Sequence, residues 1–206
     1  MESKEEVKGG ETSKGALEAK TSKRLLFLSA IIGDPEQAKY LSTLFEAQEI
    51  ILLYRASRDG WKASDFHRHC NGKGRTLILI KTSRGVVCGG YTTVPWANSL
   101  LTSNKYDTQA FLFTLSKKKM AVYRPRKPEK AVTHGTLHGP WFRGNLVLDG
   151  RWGPLNAPNQ GYCYTGGNYR IPQDADGASV LTGEGSGKQD KGKNFTCAEL
   201  EVFLLS

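Results

Sequence analysis

His67, His69 and Cys70 stand close together in a helical pattern, and they are residue types that ligate zinc or iron. Their spacing argues against a metal, because residues at i and i+2 of a helix project to different sides. The other two histidines, His134 and His138, lie far along the chain in a segment that reads as loop. Phe66, His69 and Cys70 read instead as a packing face, and no metal site is expected. Glu199 and Glu201 alternate on a strand pattern and so share a face. Such a pair can do acid–base chemistry when its neighbours separate the two pKa values. A solvated or salt-bridging strand face explains the pair without chemistry. The stretch GEGSGKQ at 183–189 imitates a phosphate loop but has Thr182 and Gln189 where Gly and Ser or Thr are needed. Gly89-Gly90, following a strand, marks close backbone approach or a bulge rather than a ligand cradle.

Cys70, Cys88, Cys163 and Cys197 form no CxxC pair, which excludes a zinc ribbon or a thioredoxin-type site. A chain of 206 residues can build a core without disulfides, so four reduced thiols are expected, any exposed one being an oxidation target. A thiol enzyme would place a cysteine beside His or a cation that lowers its pKa. Cys70 alone has His nearby in sequence, at a spacing that does not pair them. The expectation is therefore no catalytic residue, no cofactor and no enzymatic activity, with a thiol- or Glu201-dependent redox enzyme as the alternative.

The elements that would hold these residues are short. Residues 1–22 carry almost nothing apolar and predict a disordered tail ahead of a folded domain over 23–206. Asp34 and Pro35 start a helix, with Gln37 at the capping-box position and Ala38, Leu41, Leu44 and Phe45 as its apolar stripe. Ile50–Tyr54 reads as a buried strand, followed by a turn at Arg58-Asp59-Gly60 and a helix over Ser64–Cys70. Thr76–Lys81 and Val86–Thr92 form a hairpin by pattern, as do Ala110–Leu115 and Met120–Tyr123. Further strands are expected at Asn145–Leu148, around Tyr162–Tyr164 and at Cys197–Leu204, and Thr182–Lys193 reads as a Gly-rich polar loop. The fold class is α+β, mostly β: a two-sheet antiparallel sandwich flanked by short helices.

The balance of 29 Lys and Arg against 20 Asp and Glu, a net charge of +9, favours anionic partners. It is densest at Lys117, Lys118, Lys119, Arg124, Arg126, Lys127 and Lys130, opposed only by Glu129. Pro125 and Pro128 stiffen the exit from this hairpin. Binders of single-stranded nucleic acid interleave aromatics for stacking, and Tyr123 alone does so here, so an acidic protein surface is the favoured partner. No export signal or membrane span is legible, and a cytoplasmic location is expected.

Three segments resemble the TLDc domain family. Leu52 to Trp61 with Ser64 to Cys70 looks like its opening, and Thr76–Lys81, Gly85, Gly89-Gly90-Tyr91-Thr92 and Trp96 look like its central block. Ala198–Phe203 looks like its terminal strand. The residues that carry the likeness are Arg55, Ser57, Asp59, Gly60, Phe66, Cys70, Gly89, Gly90, Tyr91, Trp96 and Glu201. The resemblance implies a helix-flanked two-sheet sandwich and a domain with no established chemistry, found in oxidation-resistance proteins and regulators of the vacuolar proton ATPase. That pump is thus the first candidate partner, with tubulin or another acidic filament as the alternative. Between Gly139 and Asn168 the chain departs from the pattern, with Asn145-Leu146 where the family has an acidic-Leu pair.

Overall fold

Thr76-Leu77-Ile78-Leu79-Ile80 does not alternate apolar with polar, and a strand of that kind must be covered on both faces. The computed structural model, which describes residues 28–116, 119–164, 167–172, 181–183 and 193–206, covers it so. Two antiparallel six-stranded sheets stack face to face. Sheet I runs in the order β1 (Ile50–Arg55), β12 (Cys197–Leu205), β2 (Thr76–Thr82), β3 (Val87–Thr92), β5 (Phe111–Ser116), β6 (Lys119–Tyr123). Sheet II runs β11 (Lys193–Phe195), β10 (Gly161–Cys163), β9 (Leu146–Asp149), β8 (His138–Phe142), β7 (Val132–His134), β4 (Ser103–Lys105).

Ile78, Ile80, Leu112, Leu200 and Val202 point from sheet I into the inter-sheet core, where they join Phe142, Leu146, Leu148 and Phe195 of sheet II. Leu77, Leu79, Phe113 and Phe203 point the other way. They are covered by Ile31, Ile32 and helix α1 (Pro35–Ser42) through Ala38 and Leu41. Sheet I therefore has a second core on its outer face, which is why its strands read as continuous apolar runs.

Asp34 caps α1 as expected, accepting from the Glu36 amide at 2.9 Å. Gln37 does not close a capping box: its Nε2 reaches across to the Leu115 carbonyl at 2.7 Å and ties α1 to β5. Leu44 and Phe45 lie beyond the helix end yet still pack on the outer core. The turn at Arg58–Gly60 is a single helical turn, α2 (Ala56–Asp59), ended by Gly60 at φ 109°. Only glycine suits that conformation, and a Cβ there would run into the Asp65 carboxylate.

Helix α3 (Ala63–Cys70) buries Phe66, His67 and Cys70. The packing face read from sequence is corrected here. His69 is only half-buried, bonded to the Asp65 carbonyl and tilted against Tyr54, because the helix turns His67 toward sheet II. β4, β7, β8 and β11 had no counterpart in the sequence reading. The 1–22 tail, Lys117, Lys118 and most of the Gly-rich 182–193 stretch lie outside the described residues.

Candidate interaction site

The basic run divides along β6. That strand has five residues, so the Lys119 backbone at its start lies about 16 Å from Arg124 just past its end. Arg124, Arg126, Lys127 and Lys130 are all exposed. Arg124 lies over the Phe111 ring at 5.6 Å. The backbone beneath the other three is braced by Asn168. The Asn168 carbonyl accepts from the Arg126 amide at 2.9 Å, and its Oδ1 accepts from the Lys127 amide at 2.9 Å. Its Nδ2 donates to the carbonyls of Lys127 and Lys130 at 3.2 and 3.1 Å. A cationic segment held this way loses little conformational freedom when it binds.

A second brace comes from Asp107. Its amide donates to the Pro128 carbonyl at 3.0 Å. Its buried carboxylate accepts from the hydroxyls of Thr92 and Thr93 and from the amides of Thr93, Gln109 and Ala110, all at 2.7–3.1 Å. This brings the exposed Tyr106 beside the basic segment. Neither Asp107 nor Tyr106 was singled out from sequence, since their proximity rests on a contact across 21 residues. The one local signal was Asp followed two and three residues later by amides it can cap.

The groups that could do chemistry are occupied structurally. Glu201 is fully buried, opposite Arg55 in the β1–β12 register. Its Oε1 accepts from Arg55 Nε at 2.7 Å and the Ala30 amide at 2.9 Å, and Oε2 accepts from Ser29 Oγ at 2.6 Å. Arg55 also donates to the Leu28 carbonyl at 2.7 Å, so the pair pins the incoming chain to sheet I. Glu199 accepts from the Ser57 and Leu200 amides at 3.2 and 3.0 Å. The Glu pair is therefore salt-bridging and capping in character. Asp59 accepts from the Arg55 amide at 2.9 Å, and the hydrogen bond from Arg58 holds its carboxyl down near 2 against the opposing effect of burial.

All four cysteines are buried. Burial pushes the Cys70 thiol well above its ordinary range, helped by the charge of Asp59. Burial does the same to Cys197, whose Sγ donates to the Glu199 carbonyl.

The structure gathers the histidines that looked separate in sequence. His67 Nε2 lies 3.2 Å from the Gly135 carbonyl, between buried His134 and His138, and its Nδ1 is 2.9 Å from Asn71 Oδ1. His134 packs on Trp96, and His138 on Trp141 at 4.4 Å between ring centres. Among the described residues no group of His, Cys, Asp or Glu has metal-binding geometry. Burial would raise the Asp149 carboxyl, but its hydrogen bonds and charge pairing with Arg151 outweigh that and hold it low. Burial, then the charges of Lys105 and His67, lowers His134 to about 4.

That depressed value makes stability acid-sensitive. Below pH 6.5 the unfolded chain takes up a proton that folded His134 refuses, so stability falls as pH drops from about 6.5 to about 4. The expected loss is on the order of 3 kcal/mol for this group. Urea unfolding at pH 7.5, 6 and 5 should show it, with a smaller loss in His134→Phe.

A model of the TLDc domain matches residues 26–206 of the chain. The chain belongs to the TLDc-domain family. TBC1 domain family member 24 of Xenopus tropicalis is 36% identical over 75 residues, 34% of this chain and 13% of that protein. The Xenopus laevis protein of the same name is 32% identical over 96 residues, 43% of this chain and 17% of that protein. The chain thus matches less than a fifth of the length of these relatives.

The residues that carry the TLDc likeness have physical jobs in this fold. Arg55, Ser57, Asp59 and Glu201 form the polar cluster at the β1–β12 edge, and Gly60 ends α2. Gly90 faces the Phe142 ring so closely that a Cβ would enter it, while a Cβ on Gly89 would meet the Ile78 carbonyl. Close approach to the facing sheet at Gly90, and to the neighbouring strand of its own sheet at Gly89, accounts for this glycine pair without a ligand. Tyr91 stacks on Phe111 at 5.0 Å in the outer core. Trp96 donates its indole N–H to Thr76 Oγ1 at 2.9 Å and packs edge-on against Phe66 and Phe142. Asn145, where the chain departs from the TLDc pattern, is also a brace. Its Nδ2 donates to the Tyr164 carbonyl at 2.6 Å and its Oδ1 accepts from the Tyr169 amide at 2.7 Å. A carboxylate could not make the first of these bonds.

Proposed function

We propose that this TLDc domain is a non-catalytic binding module that docks its braced basic segment on an acidic protein surface. The observation that carries this reading is a cluster of exposed cations without carboxylate partners, close together on a braced backbone. Arg55, Arg58, Arg68 and Arg151 each pair with a carboxylate. Arg124, Arg126, Lys127 and Lys130 pair with none among the described residues, although they are exposed on a fixed backbone. Charges left uncompensated and preorganised steer association with a surface of opposite sign. By family resemblance the vacuolar proton ATPase is the first partner to test, in a cytoplasmic setting and with a role in oxidative-stress resistance. Tubulin, which is also acidic, is the second. Among the described residues no helix is long and apolar enough to cross a membrane.

The absence of catalysis is supported by what the reactive groups are doing. All four thiols are buried, and burial raises Cys70 and Cys197 away from thiolate, the nucleophilic form. Both Glu201 oxygens are taken by Ser29, Ala30 and Arg55. Purified chain is expected to show no saturable peroxide consumption, and Cys70→Ser and Glu201→Gln should change no rate. Turnover abolished by either substitution would favour the redox reading instead. Binding to purified vacuolar ATPase and to tubulin, measured side by side, tests the partner. Binding to neither would remove both candidates.

A further inference from the structure

We infer that the domain carries a second interaction surface, a cluster of apolar loop tips that inserts into the headgroup region of an anionic lipid bilayer. Four large apolar side chains project from three loops of the sandwich. Leu100 is 95% exposed and Leu101 83%, on the loop between β3 and β4; Leu137 is 57% exposed between β7 and β8, and Trp152 76% between β9 and β10. Scattered exposed leucines are ordinary, but these loops are fastened to one another. The Thr136 amide donates to the Ser99 carbonyl at 3.1 Å, and the Gly150 amide donates to the Leu137 carbonyl at 2.9 Å. Ser99 Oγ additionally bonds the Leu101 carbonyl and closes its own turn. The tips are thus held together at one end of the molecule.

Shape and charge choose the occupant. A leucine exposed over nearly its whole surface stands out from the body and forms no lining of a groove, so the fitting partner is deformable and apolar just below its surface. Tryptophan favours the boundary between headgroups and acyl chains, where its ring is apolar and its N–H remains hydrated. The loops 97–102, 135–137 and 150–155 contain no Asp or Glu. Exposed Lys62 stands beside them, next to Trp61, whose carbonyl accepts from the Leu155 amide at 2.7 Å, while Arg151 within the third loop is already paired with Asp149. With a net charge of +9 on the chain, the complement is an anionic membrane. One apolar anchor with cationic support gives reversible binding at the surface rather than insertion across it.

The test uses the 206-residue chain with vesicles of phosphatidylcholine alone or with about one-third phosphatidylserine, the anionic lipid that supplies the surface charge. Trp152 reports directly, since Trp96 is buried and Trp61 and Trp141 are half-buried. Phosphatidylserine vesicles are expected to sediment the chain and shift its emission to the blue. Trp152→Phe should abolish most of that shift while retaining much of the binding. The double variant Leu100→Ser/Leu101→Ser should bind about tenfold or more weakly, the loss of two buried leucines at the interface, with unchanged thermal unfolding. Three outcomes would overturn the proposal. One is no binding by the parent chain. Another is binding that Leu100→Ser/Leu101→Ser leaves intact, which would assign it to the basic segment alone. The third is a concentration-dependent dimer that this variant dissolves, which would make the tips a self-association surface.

Discussion

Glu201→Ala is expected to destabilise the domain by about 3–5 kcal/mol, because it strands Arg55 without its buried partner. The same change removes the acceptor for Ser29 Oγ and the Ala30 amide, so the segment leading into α1 loses its attachment to sheet I. For a chain of this size that corresponds to a fall in Tm of roughly 6–20 °C. Arg55→Ala should cost at least as much, since it strands the fully buried Glu201 carboxylate whereas water can reach part of a stranded Arg55, and the double variant should cost clearly less than the sum of the two. A thermal melt of the three variants decides it. A Glu201→Ala protein melting within a degree or two of the parent would mean that the pair contributes nothing to folding.

Asp107→Ala is the second large loss. The substitution withdraws one carboxylate from three amides and two hydroxyls, and leaves the buried Ala110 amide and Thr92 hydroxyl without that acceptor. Unsatisfied buried donors cost about 1–3 kcal/mol each and do not add simply, so a total of about 3–5 kcal/mol is expected. Asp107→Asn should recover part of it, keeping one acceptor oxygen. Because the Asp107 amide also holds the Pro128 carbonyl, loosening this loop should weaken partner binding beyond the stability loss. Urea unfolding checks the first effect. A cost under 1 kcal/mol would contradict the cradle.

The β2–β3 hairpin was legible because long apolar runs flank the turn residues Ser83-Arg84-Gly85, and β5–β6 because two apolar runs flank a short basic stretch. β4, β7, β8 and β11 were not. Ser103–Lys105, Val132–His134 and Lys193–Phe195 are three residues each, and Pro140 within β8 argues locally against a strand. Such strands exist because neighbours supply their ladders, a tertiary effect with no local signature. His67 illustrates the same limit. Its neighbours suggested that His69 packs, but the direction of sheet II relative to α3 decides which side of the helix is buried. For the candidate site, the excess of charge over 117–130 was visible at once. Its division by β6 follows from the local β5–β6 hairpin, whereas the Asn168 brace and the nearness of Tyr106 depend on contacts across 21 to 42 residues. Of the reactive-looking pair, Glu201 makes the salt bridge that the strand pattern allowed and Glu199 accepts backbone amides instead, while the depth of Glu201 followed from the outer layer of Ile31, Ile32 and α1.

The salt dependence of partner binding tests the central claim most directly. Affinity of the chain for purified vacuolar ATPase should be measured at low and moderate salt. A variant with Arg124, Arg126, Lys127 and Lys130 changed to Glu, folded because exposed charges contribute only a few tenths of a kcal/mol each, is run in parallel. The account predicts tight binding for the parent at low salt, a steep loss as salt rises, and for the variant slow, weak and salt-insensitive association. A variant that binds with unchanged affinity and an unchanged salt slope would contradict it, and would leave the basic segment as a solvated edge of the sandwich.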